Sequence, residues 1–246
     1  GLAVHLGSGD GRRTAALRQG TSFLVHGVDS DRARVEQARR TLRELGQYGP
    51  VSVDHPSGDR LPYADNLVTL VVAEADTGIA VREILRVLRP KGVACLRTDS
   101  GWERIVKPWP EDIDEWSHYL HGPDNNAVAA DDRIAPPDSL QWGAPPRWAR
   151  HHDRVASMSA LVTTNGRMFY IFDEGPTASI ALPSDWKLIA RDAFNGLPLW
   201  KKPIPRWQTR LWPLKSGPAQ LPRRLVASED AVYATLGYDA PVTQMD

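Results

Sequence analysis

Apolar positions in the first hundred residues fall in short blocks cut by polar turns. Leu2-Ala3-Val4-His5-Leu6, Phe23-Leu24-Val25-His26-Gly27-Val28, Val51-Ser52-Val53, Leu67 to Ala73 and Val93-Ala94-Cys95-Leu96 are such blocks. Runs this short, rich in β-branched residues and bounded by Gly, Pro and Asp, predict buried strands. Between them the spacing changes. Val35, Ala38, Leu42 and Leu45 stand three or four apart, which predicts an amphipathic helix over Asp31 to Leu45. Arg12 to Gln19 and Val81 to Leu88 predict two more helices, the second stopped by Pro90 with Gly92 beyond it. Alternating strands and helices predict a parallel sheet covered on both faces. No further strand is expected after Leu96.

Past about residue 105 the period switches. Ala160 to Thr164 and Arg167 to Ile171 flank Asn165-Gly166, a strong short hairpin signal. Leu225 to Ser228 and Ala231 to Thr235 flank Glu229-Asp230 on the same plan, with Leu161 aligned to Leu225 and Phe169 to Tyr233. Such self-similarity predicts a repeat architecture. Between the hairpins, Ile189 to Gly196 leads to Leu199-Trp200. There Asp192 and Asn195-Gly196 suit a tight turn, and Trp200 a seam between packed sheets. The expected division is an α/β domain over 1–104, a linker over 105–115 stiffened by Pro108 and Pro110, and an all-β part over 116–246.

Composition narrows the functions. With 30 basic and 30 acidic residues there is no electrostatic case for nucleic acid, and no apolar run approaches a membrane span. The 9 tryptophans, all beyond residue 100, read as sheet packing rather than a stacking platform. Cys95 is the single cysteine, so no intrachain disulfide is expected and its role is packing. Gly1 opens one residue before a strand, and a strand begins near Val242 to Asp246. Both ends are therefore expected to be cut, and the chain to be a fragment.

Candidate chemistry starts with Gly7-Ser8-Gly9-Asp10-Gly11, at the join of a strand and a helix. Gly7, Gly9 and Gly11 allow a sharp turn and close ligand approach, and Asp29 at the second strand tip can accept both hydroxyls of a ribose. Arg12 stands where a dinucleotide fingerprint wants glycine, which favours an adenosyl ligand over NAD. In the second half, Glu115, His118 and His121 have metal-like spacing, but Gly122-Pro123 follows at once and no metal is assigned. Arg150, His151, His152 and Asp153 form a candidate ligand site, with a solvated loop as the alternative. Asp173 and Glu174 read either as ligand groups at a loop or as a capped turn.

Residues 2–96 resemble the core of class I S-adenosylmethionine-dependent methyltransferases. His5 to Gly11 resembles the first motif, Gly27-Val28-Asp29 the ribose-binding strand end, Leu61 to Asn66 the turn before the fourth strand, and Arg82 to Pro90 the helix before the fifth. The resemblance implies a Rossmann-like fold and cofactor-binding roles for Gly7, Gly9, Gly11, Asp29 and Asp59. Departures imply degeneration. His5 replaces an acid that orients the methionine end of the cofactor. Ser57 replaces the adenine-side acid, with Asp59 displaced by two, and the Glu74 to Gly78 loop is short. The second half resembles the repeats of bacterial PQQ-binding-like β-propeller proteins, over Asp114 to Val128, Arg147 to Tyr170 and Leu211 to Tyr238. This implies an incomplete propeller of about two or three blades, a periplasmic or extracellular setting, and a small-molecule or protein ligand, with pyrroloquinoline quinone left open. The expected function is a binding platform or quinone-dependent oxidoreductase carrying a degenerate S-adenosylmethionine domain. The alternative is an active methyltransferase whose propeller recruits the substrate. Catalytic residues are not assigned.

Overall fold

The structure, a computed structural model, describes residues 1–21, 23–56, 58–133, 136, 140–150, 157–179, 181–207 and 220–246. The chain divides into two compact units, Gly1–Pro110 and Glu111–Asp246.

The first unit runs β1 (Leu2–Leu6), α1 (Arg12–Ala16), β2 (Leu24–Val28), α2 (Arg32–Glu44), β3 (Val51–Asp54), β4 (Val68–Ala73), α3 (Val81–Val87), β5 (Leu88–Thr98) and β6 (Gly101–Val106). Its sheet has the order β3-β2-β1-β4-β5-β6. The first five strands pair in parallel and β6 is antiparallel to β5. Ala3, Val25, Val51 and Val53 pack under Val35, Ala38 and Leu42 of α2 on one face. Val4, Leu6, Val71, Ala73 and Ala94 pack under Ile84 and Val87 of α3 on the other. The alternation along β1 thus serves two helical layers at once. Asp31 caps α2 by accepting from the Ala33 N–H at 2.8 Å. The order reverses direction between β1 and β4, which opens a crevice at their carboxyl ends.

Two expectations at the end of this unit need correction. A strand does follow Leu96: β5 continues to Thr98 and returns as β6, paired from Thr98↔Gly101 to Val93↔Val106. Trp102, Glu103 and Arg104 are exposed, so this edge strand lacks the apolar run that marks its neighbours. The expected linker also starts too early. Residues 105 and 106 lie in β6, and Lys107 Nζ donates to Asn66 Oδ1 at 2.6 Å and to the Leu88 carbonyl at 2.7 Å.

Arg86 of α3 grips the segment that leads into β4. Its guanidinium donates to the carbonyls of Leu61 and Tyr63 at 3.1 and 2.9 Å, to Asp65 at 2.6 Å, and to both oxygens of Glu83 at 2.6 and 2.8 Å. Glu83 Oε1 also accepts from the Leu61 N–H at 2.7 Å. The Arg86 bond holds the Glu83 carboxyl down at about 2, against the opposing effect of burial. A depressed folded-state value stabilises above the unfolded glutamate value of about 4.3, and that contribution is lost as pH falls through the folded value. Glu83→Gln is expected to cost about 2 kcal/mol at pH 7. Acid titrations followed by circular dichroism should show the wild-type advantage fading between about pH 4.5 and 2, and absent at lower pH.

The second unit holds β7 (Met158–Thr164), β8 (Arg167–Asp173), β9 (Trp186–Asp192), β10 (Pro198–Pro203), β11 (Leu225–Ser228), β12 (Ala231–Thr235) and β13 (Val242–Met245). They form an antiparallel sheet β10-β9-β8-β7 and a second sheet β11-β12-β13. Asn165 and Gly166 take φ of 51° and 70°, as a two-residue primed turn requires. One core joins the sheets: Ala160, Val162, Phe169, Ile171, Leu188 and Ala190 face Leu225, Ala227, Val232 and Ala234, with Trp186 and Trp207 buried beside them. Trp200 packs on this core and lies 5.8 Å from Phe169. The all-β expectation is met to that extent. Among the described residues the second unit holds two sheets, of four and three strands, too few to close the ring of a propeller.

Candidate functional site

The crevice is built where β1 stops. Gly7, Gly9 and Gly11 have φ of 79°, 55° and 84°, all left-handed. The N–H groups of Gly7 and Ser8 donate to the Val28 carbonyl at 2.8 and 3.3 Å, and Gly11 N–H to the Ser8 carbonyl at 2.9 Å. The loop is thereby folded back against the end of β2. The glycines serve different ends. A Cβ at Gly11 would sit 2.9 Å from Ala38 Cβ, so this glycine lets α1 meet α2. At Gly7 it would lie 3.1 Å from Glu74 Cβ, which makes Gly7 the wall of the crevice.

Asp29 organises the loop from the tip of β2. Its Oδ2 accepts from the Gly9 N–H at 2.9 Å and its Oδ1 from the Asp31 N–H at 3.0 Å. The residue is only 4% exposed. It opens on a cavity of about 150 Å³ whose lining includes Gly7, Asp29, Arg34, Glu74, Asp76 and Thr77. Three carboxylates against one guanidinium make this lining anionic. A pyrophosphate would be repelled, whereas a cationic ligand would be held. The five-residue α1 adds no compensating anion site of its own.

His5 lies beneath the loop and is 1% exposed. One ring nitrogen, Nδ1, is 2.8 Å from Thr14 Oγ1, and the other, Nε2, lies 3.5 Å from Glu74 Oε1. Burial pushes the imidazole below its ordinary value, against the pull of Glu74. Arg13 Nη1 donates to the same Glu74 oxygen at 2.7 Å. Burial pushes the Glu74 carboxyl up, but the bonds from Arg13 and His5 outweigh it and hold it below the usual carboxylate range. A second, more open cavity of about 370 Å³ adjoins this group, with His5, Arg13, Glu74, Arg97 and Trp102 in its wall.

The fold brings Gly7, Gly9, Gly11 and Asp29 together at the end of β1, and of these Gly7 and Asp29 line the cavity. Asp59 falls outside: the chain after β3 touches the cavity at Pro56 and Gly58 and then turns outward, leaving Asp59 exposed. Ser57 lies outside the described residues. The short Glu74 to Gly78 loop noted in the sequence does reach the cavity, through Glu74, Asp76 and Thr77, whereas Arg34 and the contact of Glu74 with His5 and Arg13 were not foreseen. An acid directly after the strand next to β1 is the signal that could have found Glu74.

The second unit disperses its candidates. Glu115 accepts from Thr164 Oγ1 at 3.2 Å and from the Asn165 N–H, capping the β7–β8 turn. His121 Nε2 meets Asp114 Oδ2 at 2.6 Å, and His118 Nδ1 meets Ser117 Oγ at 2.8 Å. Among the described residues no three metal-ligating side chains converge. Arg150 is spent on a buried pair with Asp173 at 3.1 Å, and Glu174 on Lys187 and Lys201 at 3.0 and 2.6 Å. These contacts give Arg150, Asp173 and Glu174 structural work. His151, His152 and Asp153 lie outside the described residues.

Residues 3–92 match the family model described as "Methyltransferase domain". A putative S-adenosyl-L-methionine-dependent methyltransferase from Methanococcus maripaludis is similar at 22% identity, over 39% of this chain and 47% of that one, with a TM-score of 0.36. A SAM-dependent methyltransferase from Aquifex aeolicus is 20% identical over 39% and 54%, with a TM-score of 0.35. The geranyl diphosphate C-methyltransferase of Streptomyces coelicolor, solved with Mg2+, geranyl diphosphate and S-adenosyl-L-homocysteine, is 20% identical over 39% and 38%, with a TM-score of 0.35. The matched part spans between 38% and 54% of these chains. A comparison with curated proteins gives no match. The first unit thus contains a Rossmann-like, methyltransferase-like domain. The family match ends at residue 92, so it lends the quinone-type propeller no support.

Proposed function

We propose that the first unit binds S-adenosylmethionine in the crevice between β1 and β4 as the donor half of a methyltransferase, and that the second unit recruits the methyl acceptor. The observation that carries the reading is Asp29. Each of its oxygens accepts one backbone N–H and keeps a lone pair, so the carboxylate is held in place to receive two vicinal hydroxyls. The lining suits the rest of the ligand, which bears positive charge at its sulfur and its amino group. Closed ligand pockets commonly exceed about 300 Å³. A cavity of about 150 Å³ therefore encloses the ribose and its sulfur link, leaving the adenine over Pro56 and Gly58. Ser8 Oγ, buried in the loop, is a further polar atom that finds no partner among the described residues.

When bound, the ligand supplies an electrophilic methyl group. The protein's part is to fix the ribose through Asp29, to keep Gly7 and Gly9 free of side chains where the ligand passes, and to balance its charge. Isothermal calorimetry on the full chain tests this. S-adenosylmethionine is expected to bind with a dissociation constant on the order of 10 μM. No heat at millimolar ligand overturns the reading.

The repeat reading of the second unit has support in its core. Aligned by their hairpin turns, Leu161, Met168 and Tyr170 correspond to Leu225, Val232 and Ala234. The first three point to a separate cluster with Ile189 and Phe172, while the latter three face the shared core. Equivalent positions thus sit on opposite faces of the interface. Successive blades stack face to back in this way, whereas a two-fold sandwich would present equivalent faces to each other.

A further inference from the structure

We infer that Glu74 is the group that receives the cationic amino end of the ligand, an assignment that rests on the proposed S-adenosylmethionine site. Four residues compete for this role. Asp29 already accepts a backbone N–H on each oxygen and lies at the ribose position. Asp76 is exposed on the loop beyond β4. His5 is buried, and its imidazole is kept neutral by that burial. Glu74 alone combines position, charge and a spare oxygen.

Its position is set by the backbone. Glu74 N–H donates to the Leu6 carbonyl at 3.0 Å, which carries the β1–β4 ladder one step beyond both strands. Its Cβ and Cγ press on Gly7, where a side chain would stand 3.1 and 3.5 Å away. Oε1 is taken by Arg13 at 2.7 Å and faces His5 at 3.5 Å. Among the described residues Oε2 has no partner. Glu74 lines both cavities, and His5 beside it lines the more open one. The carboxylate therefore sits between the ribose pocket and the more open cavity, where an amino-acid tail running away from Asp29 must pass. Arg13 orients it without neutralising both oxygens.

The test compares two ligands on the full chain by calorimetry. S-adenosylmethionine carries the amino end; 5′-methylthioadenosine shares the adenosine and sulfur but lacks it. Glu74→Gln is expected to weaken S-adenosylmethionine about thirtyfold, within the range for a charge-assisted hydrogen bond. It should leave methylthioadenosine within about twofold. Glu74→Asp, which keeps the charge, should recover part of the loss and guards against an effect of misfolding. Equal losses for both ligands, or none for either, overturn the assignment while leaving the site itself standing. A wild-type chain that binds neither ligand overturns the site and the assignment together.

Discussion

Asp29→Asn is expected to lower the affinity of the full chain for S-adenosylmethionine by about a hundredfold and to cost the first unit about 2 kcal/mol. Both effects arise from the same two oxygens. In the native residue each oxygen accepts a backbone N–H, from Gly9 at 2.9 Å and from Asp31 at 3.0 Å. An amide keeps one acceptor and turns its NH2 toward the other N–H. Whichever way it flips, one backbone donor at a position 4% exposed loses its acceptor. If the Gly9 contact fails, the loop between β1 and α1 loses its tie to β2. For the ligand, two charge-assisted hydroxyl contacts become one neutral contact. Urea unfolding measures the first effect and calorimetry the second. An unchanged dissociation constant would show that ribose recognition lies elsewhere and would remove the main support for the proposed function.

The parallel sheet was readable because its strands are largely buried and appear as short, mostly apolar blocks. β1 and β4 have no polar period to confuse them with a helix, and α2 announces itself by the spacing from Val35 to Leu45. β6 was not readable, because an edge strand with exposed Trp102, Glu103 and Arg104 looks like a loop. The helix α3 was stopped by expectation at Leu88 with Pro90 as the breaker. It ends at Val87, and Pro90 instead lies inside β5, near the register shift opposite Val68 and Leu70. At the site, Gly7 and Asp29 were legible as motif positions. Glu74 was not, because its meaning depends on β4 pairing beside β1, a long-range fact no local spacing carries. His5 read as a lost acid; the carboxylate that lies beside it, Glu74, comes one residue after the end of β4. In the second unit the hairpin turns were legible, whereas the partners of Arg150 and Asp173 are 23 residues apart and were read as separate candidates.

Breaking the buried pair of the second unit by a single substitution is expected to have the largest effect on stability. Arg150 and Asp173 side chains are 1% and 3% exposed and meet at 3.1 Å. Arg150 also donates to the carbonyls of Ser179 at 3.1 Å, Leu182, and Pro183 at 2.8 Å. Asp173 Oδ1 accepts from the N–H groups of Gly175 at 3.0 Å and Asp185 at 2.8 Å. The pair therefore fastens both ends of the segment between β8 and β9. Arg150→Met strands a buried carboxylate and three carbonyls, and should cost about 4 kcal/mol. Asp173→Asn keeps an acceptor for the two N–H groups and leaves Arg150 its carbonyls, so about 2 kcal/mol is expected. The double change Arg150→Met with Asp173→Leu should cost less than the sum of the single changes, since no buried charge is then left without its counterpart. Thermal unfolding gives the order of the three variants. Limited proteolysis between Glu174 and Asp185 should show Arg150→Met cut fastest. If Arg150→Met and wild type unfold together and resist cleavage alike, the pair does not hold this segment, and Arg150 returns as a candidate ligand group.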